Sequence, residues 1–190
     1  MTDVEPLPPG ATYVRDFVSP DAEASIVARI DSQPWITDLR RRVQHYGYRY
    51  DYRARTVNAD AYLGAVPNWF ADLGERLVEA GLFDRVPDQA IVNEYEPGQG
   101  IAAHVDCVPC FSDTIVSVSL LSTCEIQFED RRNHKRIAQV LEPRSVLVLK
   151  GAARFEWTHA IPARKSDVID GRRVPRTRRL SVTFRNVIAR

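Results

Sequence analysis

The chain has few cysteines, no long apolar run and almost no net charge, and each of these absences excludes a class of protein. Three cysteines in 190 residues are too few, and odd in number, for a disulfide framework, which agrees with a reducing compartment. No apolar run approaches the length that spans a bilayer, and the start, Met1–Glu5, has no signal-peptide pattern. We therefore expect a soluble cytoplasmic protein with no membrane partner.

The charge distribution is more informative than the net charge of +1, which does not by itself indicate a nucleic-acid-binding protein. Positive charge is concentrated in two clusters, Arg40–Arg42 and the group Arg172, Arg173, Arg176, Arg178 and Arg179. On composition alone, such clusters are interpreted first as solvated surface.

Length and hydrophobic content predict one compact domain over residues 1–190, which we expect to be a monomer. A leader and a helix occupy residues 1–34, and the helix begins at Ser19-Pro20, a typical N-cap with proline in the first turn, and ends near Gln33-Pro34. A second helix is predicted from Pro67 to Ala80, with Gly81 as its terminator.

After Gly81 the hydrophobic period changes from helical to strand-like. The predicted strands are Ala90–Tyr95, Ile115–Leu121, Glu125–Phe128, Ile137–Leu141, Val146–Leu149, Arg154–Ile161 and Leu180–Val187. The fold class is therefore α+β and mostly β, with a helical amino-terminal third packed on an antiparallel sandwich or barrel. Residues 163–177 are charged and poor in strand formers, which predicts a mobile loop.

A possible metal site begins with His104-Val105-Asp106. In an extended segment, residues two positions apart point to the same face, so one imidazole and one carboxylate can converge on one ion. His159 could supply a third ligand and complete the facial triad of non-heme iron(II) oxygenases. Each histidine alone is more often an ordinary surface or core residue, so this spacing is weak evidence by itself.

The carboxyl-terminal strand carries two arginines on one face. Alternation places Arg179 and Arg185 on the same side as Ser181 and Thr183, and the apolar residues between them on the other side. Burying an unpaired guanidinium costs several kcal/mol, so this face is either solvated or binds an anion. A guanidinium matches a carboxylate in shape, and 2-oxoglutarate has a carboxylate at each end.

Taken together, these motifs resemble the AlkB family of iron(II)- and 2-oxoglutarate-dependent dioxygenases. The family pattern N-x-Y, H-x-D, H and R-x₅-R matches Asn93-Glu94-Tyr95, His104-Val105-Asp106, His159 and Arg179 to Arg185, and the likeness covers roughly residues 35–188. Within the family, the sequence is most similar to the homologues that hydroxylate a tRNA wobble uridine.

The resemblance implies a fold, a chemistry and a set of site residues. The fold would be a double-stranded β-helix, or jelly roll, in residues 67–190, with a helical layer before it and a nucleotide-recognition lid over residues 35–66. His104, Asp106 and His159 would be the catalytic iron ligands, and Asn93, Tyr95, Arg179 and Arg185 would hold 2-oxoglutarate, with dioxygen as the other co-substrate. Ser181 stands where the bacterial repair enzyme has an asparagine, so its role is open.

The implied function is oxidative dealkylation or hydroxylation of modified bases in nucleic acid, in DNA or RNA repair or in tRNA modification. The partner would be single-stranded or flipped DNA or RNA, including tRNA. One alternative is the same chemistry on a protein side chain or a small molecule, and another is a catalytically silent β-fold binding module. The intact triad and arginine pair argue against the last of these.

The substrate side is indicated by Tyr46 to Arg53, where tyrosines and arginines interleave. Tyrosine can stack on a base while arginine contacts a phosphate, although an edge hairpin would show the same alternation. The resemblance favours binding, with Tyr48, Tyr50 and Arg41 as substrate contacts and Tyr48 as the first candidate. Arg41 falls near the position of a stacking tryptophan in the bacterial repair enzyme, and Val108 replaces an acidic residue there.

Cys107-Val108-Pro109-Cys110 forms a C-x-x-C motif, which can indicate zinc binding or redox chemistry. Only Cys124 remains to complete a thiolate site, and no thioredoxin-like pattern surrounds the motif, so we expect free thiols.

Overall fold

The computed structural model of the chain describes residues 6–58 and 60–188. The start at Met1–Glu5 that we interpret as lacking a signal peptide lies outside these residues. Within them, the strands are β1 (Ala11–Val14), β2 (Val43–Tyr46), β3 (Gln89–Tyr95), β4 (Ile101–His104), β5 (Ile115–Leu120), β6 (Cys124–Asp130), β7 (Arg136–Leu141), β8 (Ser145–Leu149), β9 (Trp157–Ile161), β10 (Ser166–Ile169), β11 (Arg172–Pro175) and β12 (Arg179–Arg185). The helices are α1 (Pro20–Asp31), α2 (Asn68–Glu79) and the short α3 (Gly151–Phe155).

Two antiparallel sheets form the centre of the molecule. A six-stranded major sheet has the order β1-β8-β5-β12-β3-β2, and a four-stranded minor sheet has the order β4-β9-β6-β7. Non-consecutive strands lie side by side in both sheets, so neither is a simple meander. The predicted fold class, mostly β with an amino-terminal helical layer, is confirmed.

The major sheet has a different hydrophobic core on each face. Val182 and Phe184 of β12 belong to a cluster with the buried faces of α1 and α2. Ile115 and Leu149 of the major sheet belong to a second cluster with side chains of the minor sheet such as Phe128. The first cluster attaches the helices, and the second lies between the sheets.

Both predicted long helices are present, with boundaries close to those expected. The side chain of Ser19 accepts a hydrogen bond from the backbone N–H of Ala22, so it caps α1 as the sequence indicates. The second helix buries Phe70, Leu73 and Leu77, which are spaced for one helical face.

The predicted mobile loop at residues 163–177 is wrong. This segment contains the antiparallel hairpin of β10 and β11, and Asp167 at its base is 1% exposed. The guanidiniums of Arg176 and Arg164 both donate to the Asp167 carboxylate, at 2.6 and 2.7 Å. The charged side chains of this segment, which the sequence predicts to be solvated, are therefore partly buried and ion-paired.

The strand predicted from Arg154 to Ile161 begins later than expected. Arg154 and Phe155 belong to α3, and extended backbone starts at Trp157. Trp157 itself packs in the core between the sheets. Among the described residues, no helix is long and apolar enough to cross a membrane.

Candidate active site

Three side chains that could hold a metal meet at one end of the minor sheet. Strands β4 and β9 pair so that His104 lies directly opposite His159, and Asp106 follows two residues after His104. One ligand atom from each of the three residues lies within 4.8 Å of the other two. Strand pairing therefore brings together the three side chains that the sequence spacing suggested as metal ligands.

The ring of His104 is oriented by its own strand. Its Nδ1 lies 2.8 Å from the carbonyl oxygen of Ala102, and only a protonated Nδ1 can donate to that oxygen. This tautomer leaves the Nε2 lone pair free, and Nε2 lies 3.8 Å from Oδ1 of Asp106. The arrangement is that of an imidazole ready to bind a cation beside a carboxylate.

The protonation states of the other two residues also suit a metal. Burial and the neighbouring His104 lower the pKa of His159 to about 4, so its imidazole is neutral near pH 7. For Asp106, burial opposes ionisation, but the charge of Arg185 and the two histidines outweigh it and lower the pKa below its ordinary value. The site therefore offers a neutral imidazole from His159 and a carboxylate from Asp106 beside the imidazole of His104.

The two arginines of β12 point into the space beside this triad. Nη2 of Arg179 donates to the hydroxyl of Ser119 at 2.8 Å, and its guanidinium lies over the ring of Tyr95. Nη2 of Arg185 donates to Oδ1 of Asp106 at 3.2 Å, and its guanidinium lies over the ring of Phe111. The predicted alternation of β12 is confirmed, since the apolar residues between the arginines pack in the helix-side core, and Ser181 and Thr183 face the cavity.

Both guanidiniums have buried donors without a partner. In Arg179 and in Arg185, Nε and Nη1 are buried and make no hydrogen bond among the described residues. An unpaired buried donor costs roughly 1–3 kcal/mol, so four such atoms facing one space indicate a missing acceptor. An oxyanion ligand with carboxylates would supply it.

A cavity of about 340 Å³ joins the triad to the arginines. Asn93, Tyr95 and Ser181 line it together with all three triad residues and both arginines. The cavity wall also contains Ser117 of β5, which no sequence motif indicates, and Thr183 of β12, which alternation places on the same face as the two arginines. The signal for Ser117 is the alternation of β5, in which Ser117 and Ser119 alternate with Val116 and Val118 of the helix-side core.

The substrate residues predicted from the sequence are not all in the cavity wall. Arg41 and Tyr50 line it, and Arg41 donates from Nε to Oδ1 of Asn93 at 2.8 Å. Tyr48 packs against Tyr62 and is not among the lining residues that the structure describes. Two residues that we did not predict, Tyr52 and Arg55, line the cavity instead.

A buried arginine behind the triad is another residue that the sequence motifs do not reveal. Arg154 is 2% exposed and donates to the carbonyl oxygens of Asp106 and Cys107, at 2.9 and 3.3 Å. It thereby ties α3, just before the strand of His159, to the loop that carries Asp106. No motif or spacing in the sequence around Arg154 indicates that it contacts the loop of Asp106.

The expectation of free thiols at Cys107 and Cys110 is wrong, because the structure joins them in a disulfide. The Val108-Pro109 turn, closed by a hydrogen bond from the Cys110 N–H to the Cys107 carbonyl oxygen, brings the two Cα atoms to 5.3 Å. The number of cysteines in the chain does not show that a two-residue turn can bring two of them within bonding distance. Cys124 is a buried free thiol.

Comparison with known proteins gives a family match that covers most of the chain. Residues 10–185 match the model of the 2OG-Fe(II) oxygenase superfamily. An uncharacterised protein of Acanthamoeba polyphaga mimivirus is 34% identical over 180 residues, which cover 94% of this chain and 85% of that protein.

Two further relatives carry the name of the AlkB group. The tRNA (carboxymethyluridine(34)-5-O)-methyltransferase alkbh8 of Xenopus tropicalis is 39% identical over 168 residues, covering 86% of this chain but only 27% of that protein. The structure of OsALKBH1 superposes with a TM-score of 0.74 at 21% identity, covering 96% of this chain and 99% of the other. This last likeness concerns the fold alone.

Proposed function

Because the chain belongs to the 2OG-Fe(II) oxygenase superfamily and is AlkB-like within it, we propose that it oxidises modified bases in nucleic acid. Membership of this family shows that the chain is a dioxygenase that uses iron(II), 2-oxoglutarate and dioxygen. One observation carries the assignment of the site: the His-Asp-His cluster and two arginines with unpaired buried donors face the same cavity.

The residues of this cavity suit both groups. Two imidazoles and a carboxylate form the donor set of a non-heme iron(II) site, with His104, Asp106 and His159 as its proposed ligands. Arg179 and Arg185 would bind the carboxylates of 2-oxoglutarate, with Asn93 and Tyr95 beside them. When bound, iron and 2-oxoglutarate supply the oxidation of a substrate C–H bond, coupled to decarboxylation of the co-substrate.

The protein's own part in this chemistry is to hold charges in fixed positions. Arg185 is shared between Asp106 and the space for the co-substrate, so it keeps that carboxylate ionised and positions an anion beside it. Arg154 fixes the backbone of Asp106 from behind. Burial of these groups keeps water from competing for the same donors.

The substrate proposal is supported by the side of the cavity formed by the lid segment, which we define as residues 35–66. Arg41, Tyr50, Tyr52 and Arg55 of this segment line the cavity. Aromatic rings can stack on an exposed base, and guanidiniums can contact its phosphates. Of the residues that the structure describes, four arginines and one carboxylate line the cavity. Positive charge therefore remains after 2-oxoglutarate and iron are accounted for, which favours an anionic substrate.

The test combines turnover with binding. Purified protein with iron(II), 2-oxoglutarate and methylated single-stranded oligonucleotides should produce succinate together with loss of a methyl group or gain of an oxygen in the oligonucleotide. Binding should weaken as salt is added, because phosphate contacts release counterions. Undetectable binding to single-stranded DNA and RNA at low salt would contradict the nucleic-acid proposal and favour a protein or small-molecule substrate.

A further inference from the structure

The disulfide between Cys107 and Cys110 lies at the junction of the proposed iron site and the lid segment. Cys107 follows Asp106 directly and lines the same cavity. The next residue after the pair, Phe111, packs against the guanidinium of Arg185 and the ring of Tyr50. The motif therefore contacts both the co-substrate side and the lid side of the cavity.

Both sulfur atoms point at one backbone oxygen of the lid segment. The carbonyl oxygen of Arg55 lies 3.2 Å from Sγ of Cys107 and 3.6 Å from Sγ of Cys110. Among residues 6–58 and 60–188, no N–H or O–H group donates a hydrogen bond to this oxygen. These distances suit S–H donors, but a disulfide has no S–H group and cannot donate.

The backbone of Cys107 and Cys110 is held by other parts of the chain, whereas Arg55 lies in a turn that two hydrogen bonds between Asp51 and Thr56 close. Arg154 donates to the Cys107 carbonyl oxygen from the buried side, and the N–H of Ile188 donates to the carbonyl oxygen of Cys110. Arg55 itself is exposed and has a positive φ of 54°. A change at the sulfur atoms should therefore alter the position of Arg55 and leave the iron-site loop in place.

We propose that Cys107 and Cys110 form a reversible redox site that holds the lid segment more tightly against the cavity when reduced than when oxidised. In the dithiol, one or both S–H groups donate to the Arg55 carbonyl oxygen and hold the lid segment against the cavity. In the disulfide, that oxygen faces two sulfur atoms without a proton. This regulation goes beyond the proposed function and does not depend on it.

The chemical step is an exchange with a small disulfide such as glutathione disulfide. The sulfur of one cysteine attacks the small disulfide, which releases one thiol and leaves a mixed disulfide. The second cysteine sulfur then displaces the other thiol and closes the Cys107–Cys110 bond. Two S–H bonds are lost and one S–S bond is formed in the protein, and the two electrons and two protons leave on the two small thiols.

Limited trypsin digestion of the iron-free protein tests the proposal without any catalytic readout. Trypsin cleaves after Arg53 and Arg55, and the peptides that end there can be followed by mass spectrometry. We expect the protein oxidised with glutathione disulfide to be cleaved at these two sites about two- to five-fold faster than the reduced protein, the ratio that one modest hydrogen bond supplies. Intact mass after alkylation establishes the state of the cysteines in each sample.

Two double variants separate hydrogen bonding from cross-linking. Cys107→Ser/Cys110→Ser keeps donors for the Arg55 oxygen and should be cleaved slowly with or without glutathione disulfide. Cys107→Ala/Cys110→Ala has no donor and no cross-link and should be cleaved fast in both conditions. Cys124→Ser, which changes the buried free cysteine, should respond to glutathione disulfide as the wild type does.

Three results would overturn the proposal. One is equal cleavage of the reduced protein and of protein whose mass shows the Cys107–Cys110 bond. Another is failure of that bond to form in excess glutathione disulfide. The third is a serine variant that still responds to the oxidant. If the alanine variant does not fold, the serine variant and the two wild-type states still give these outcomes.

Discussion

At the scale of single residues, Arg185 connects the carboxylate of the triad to the proposed 2-oxoglutarate site. Arg185→Lys should raise the half-saturating concentration of 2-oxoglutarate by about 10- to 100-fold, because an ammonium cannot reproduce the planar two-donor contact with a carboxylate. Succinate formation measured against 2-oxoglutarate concentration gives this value. The loss should be partly recovered at high 2-oxoglutarate concentration.

Arg173→Lys is the matched control for this change, because Arg173 is exposed on β11 and lies outside the cavity wall. It should leave the half-saturating concentration unchanged. A normal half-saturating concentration in Arg185→Lys would mean that Arg185 serves Asp106 alone.

His45 in the lid segment predicts a pH dependence of stability. Its Nδ1 accepts a hydrogen bond from the backbone N–H of Tyr50, and burial, with help from Arg49 and Arg185, lowers its pKa to about 4. An unfolded histidine titrates near pH 6.5, so the unfolded chain binds more protons between these values. The contribution of His45 is therefore complete above about pH 6.5 and is lost as the pH falls toward 4.

We expect the free energy of unfolding of the wild type to fall by about 1–3 kcal/mol more than that of His45→Gln between pH 7.5 and 4.5. Urea denaturation at the two pH values measures the difference. Parallel curves for the wild type and His45→Gln would contradict the assignment.

At the scale of secondary-structure elements, an ion-pair network joins three strands and a helix on the helix side of the site. Glu94 of β3 is 3% exposed and accepts from Arg42, just before β2, at 2.8 Å and from Arg178, just before β12, at 2.7 Å. Arg178 also pairs with Asp31 at the end of α1. Because Glu94 lies between Asn93 and Tyr95, the network holds the strand that carries two proposed co-substrate contacts.

Glu94→Gln should lower the free energy of unfolding by about 1–3 kcal/mol, because charge-assisted hydrogen bonds from two arginines are lost at a buried position. The arginines are themselves part-exposed, which keeps the cost below that of a fully buried pair. Glu156→Gln removes the exposed pair with Arg132 and should cost less than about 0.5 kcal/mol. An equal decrease in the free energy of unfolding in the two variants would show that the buried pairs of Glu94 stabilise the fold no more than an exposed pair.

At the scale of the whole molecule, the proposed metal site joins β4, the edge strand of the minor sheet, and the loop after it to the neighbouring strand β9. Metal binding should therefore stabilise the fold. Manganese(II) is a redox-stable probe. At about 100 times its dissociation constant it should add about 2.7 kcal/mol, which raises the melting temperature by several degrees. Differential scanning calorimetry with and without manganese(II) measures the shift.

The stabilisation should disappear when a proposed ligand is removed. His159→Ala or Asp106→Ala should melt at the same temperature with and without manganese(II), whereas His134→Ala should keep the shift of the wild type. A full shift in both ligand variants would place the metal elsewhere and remove the basis for the proposed site.

Much of the fold and the site could be predicted from the sequence because the signals are local. The apolar spacing and cap of α1, the period-two alternation of β12 and the H-x-D spacing each depend on residues within one element, where backbone geometry determines which side chains share a face. The alternation of β12 also placed both arginines on one face, whereas His159 was predicted from the chemistry of the facial triad and from the resemblance to the AlkB family.

Only the tertiary structure decided how distant or irregular segments meet. Pairing of β4 with β9 places His159 opposite His104, and the path of the lid segment places Tyr50 and Tyr52, but not Tyr48, in the cavity wall. The hairpin of β10 and β11 is stabilised by burial of the Asp167 carboxylate between two arginines, which a count of charges interprets as solvated loop. These features depend on contacts between residues that are far apart in the sequence. Such contacts become favourable only when both groups are buried in the folded protein, so a pattern within one segment does not predict them.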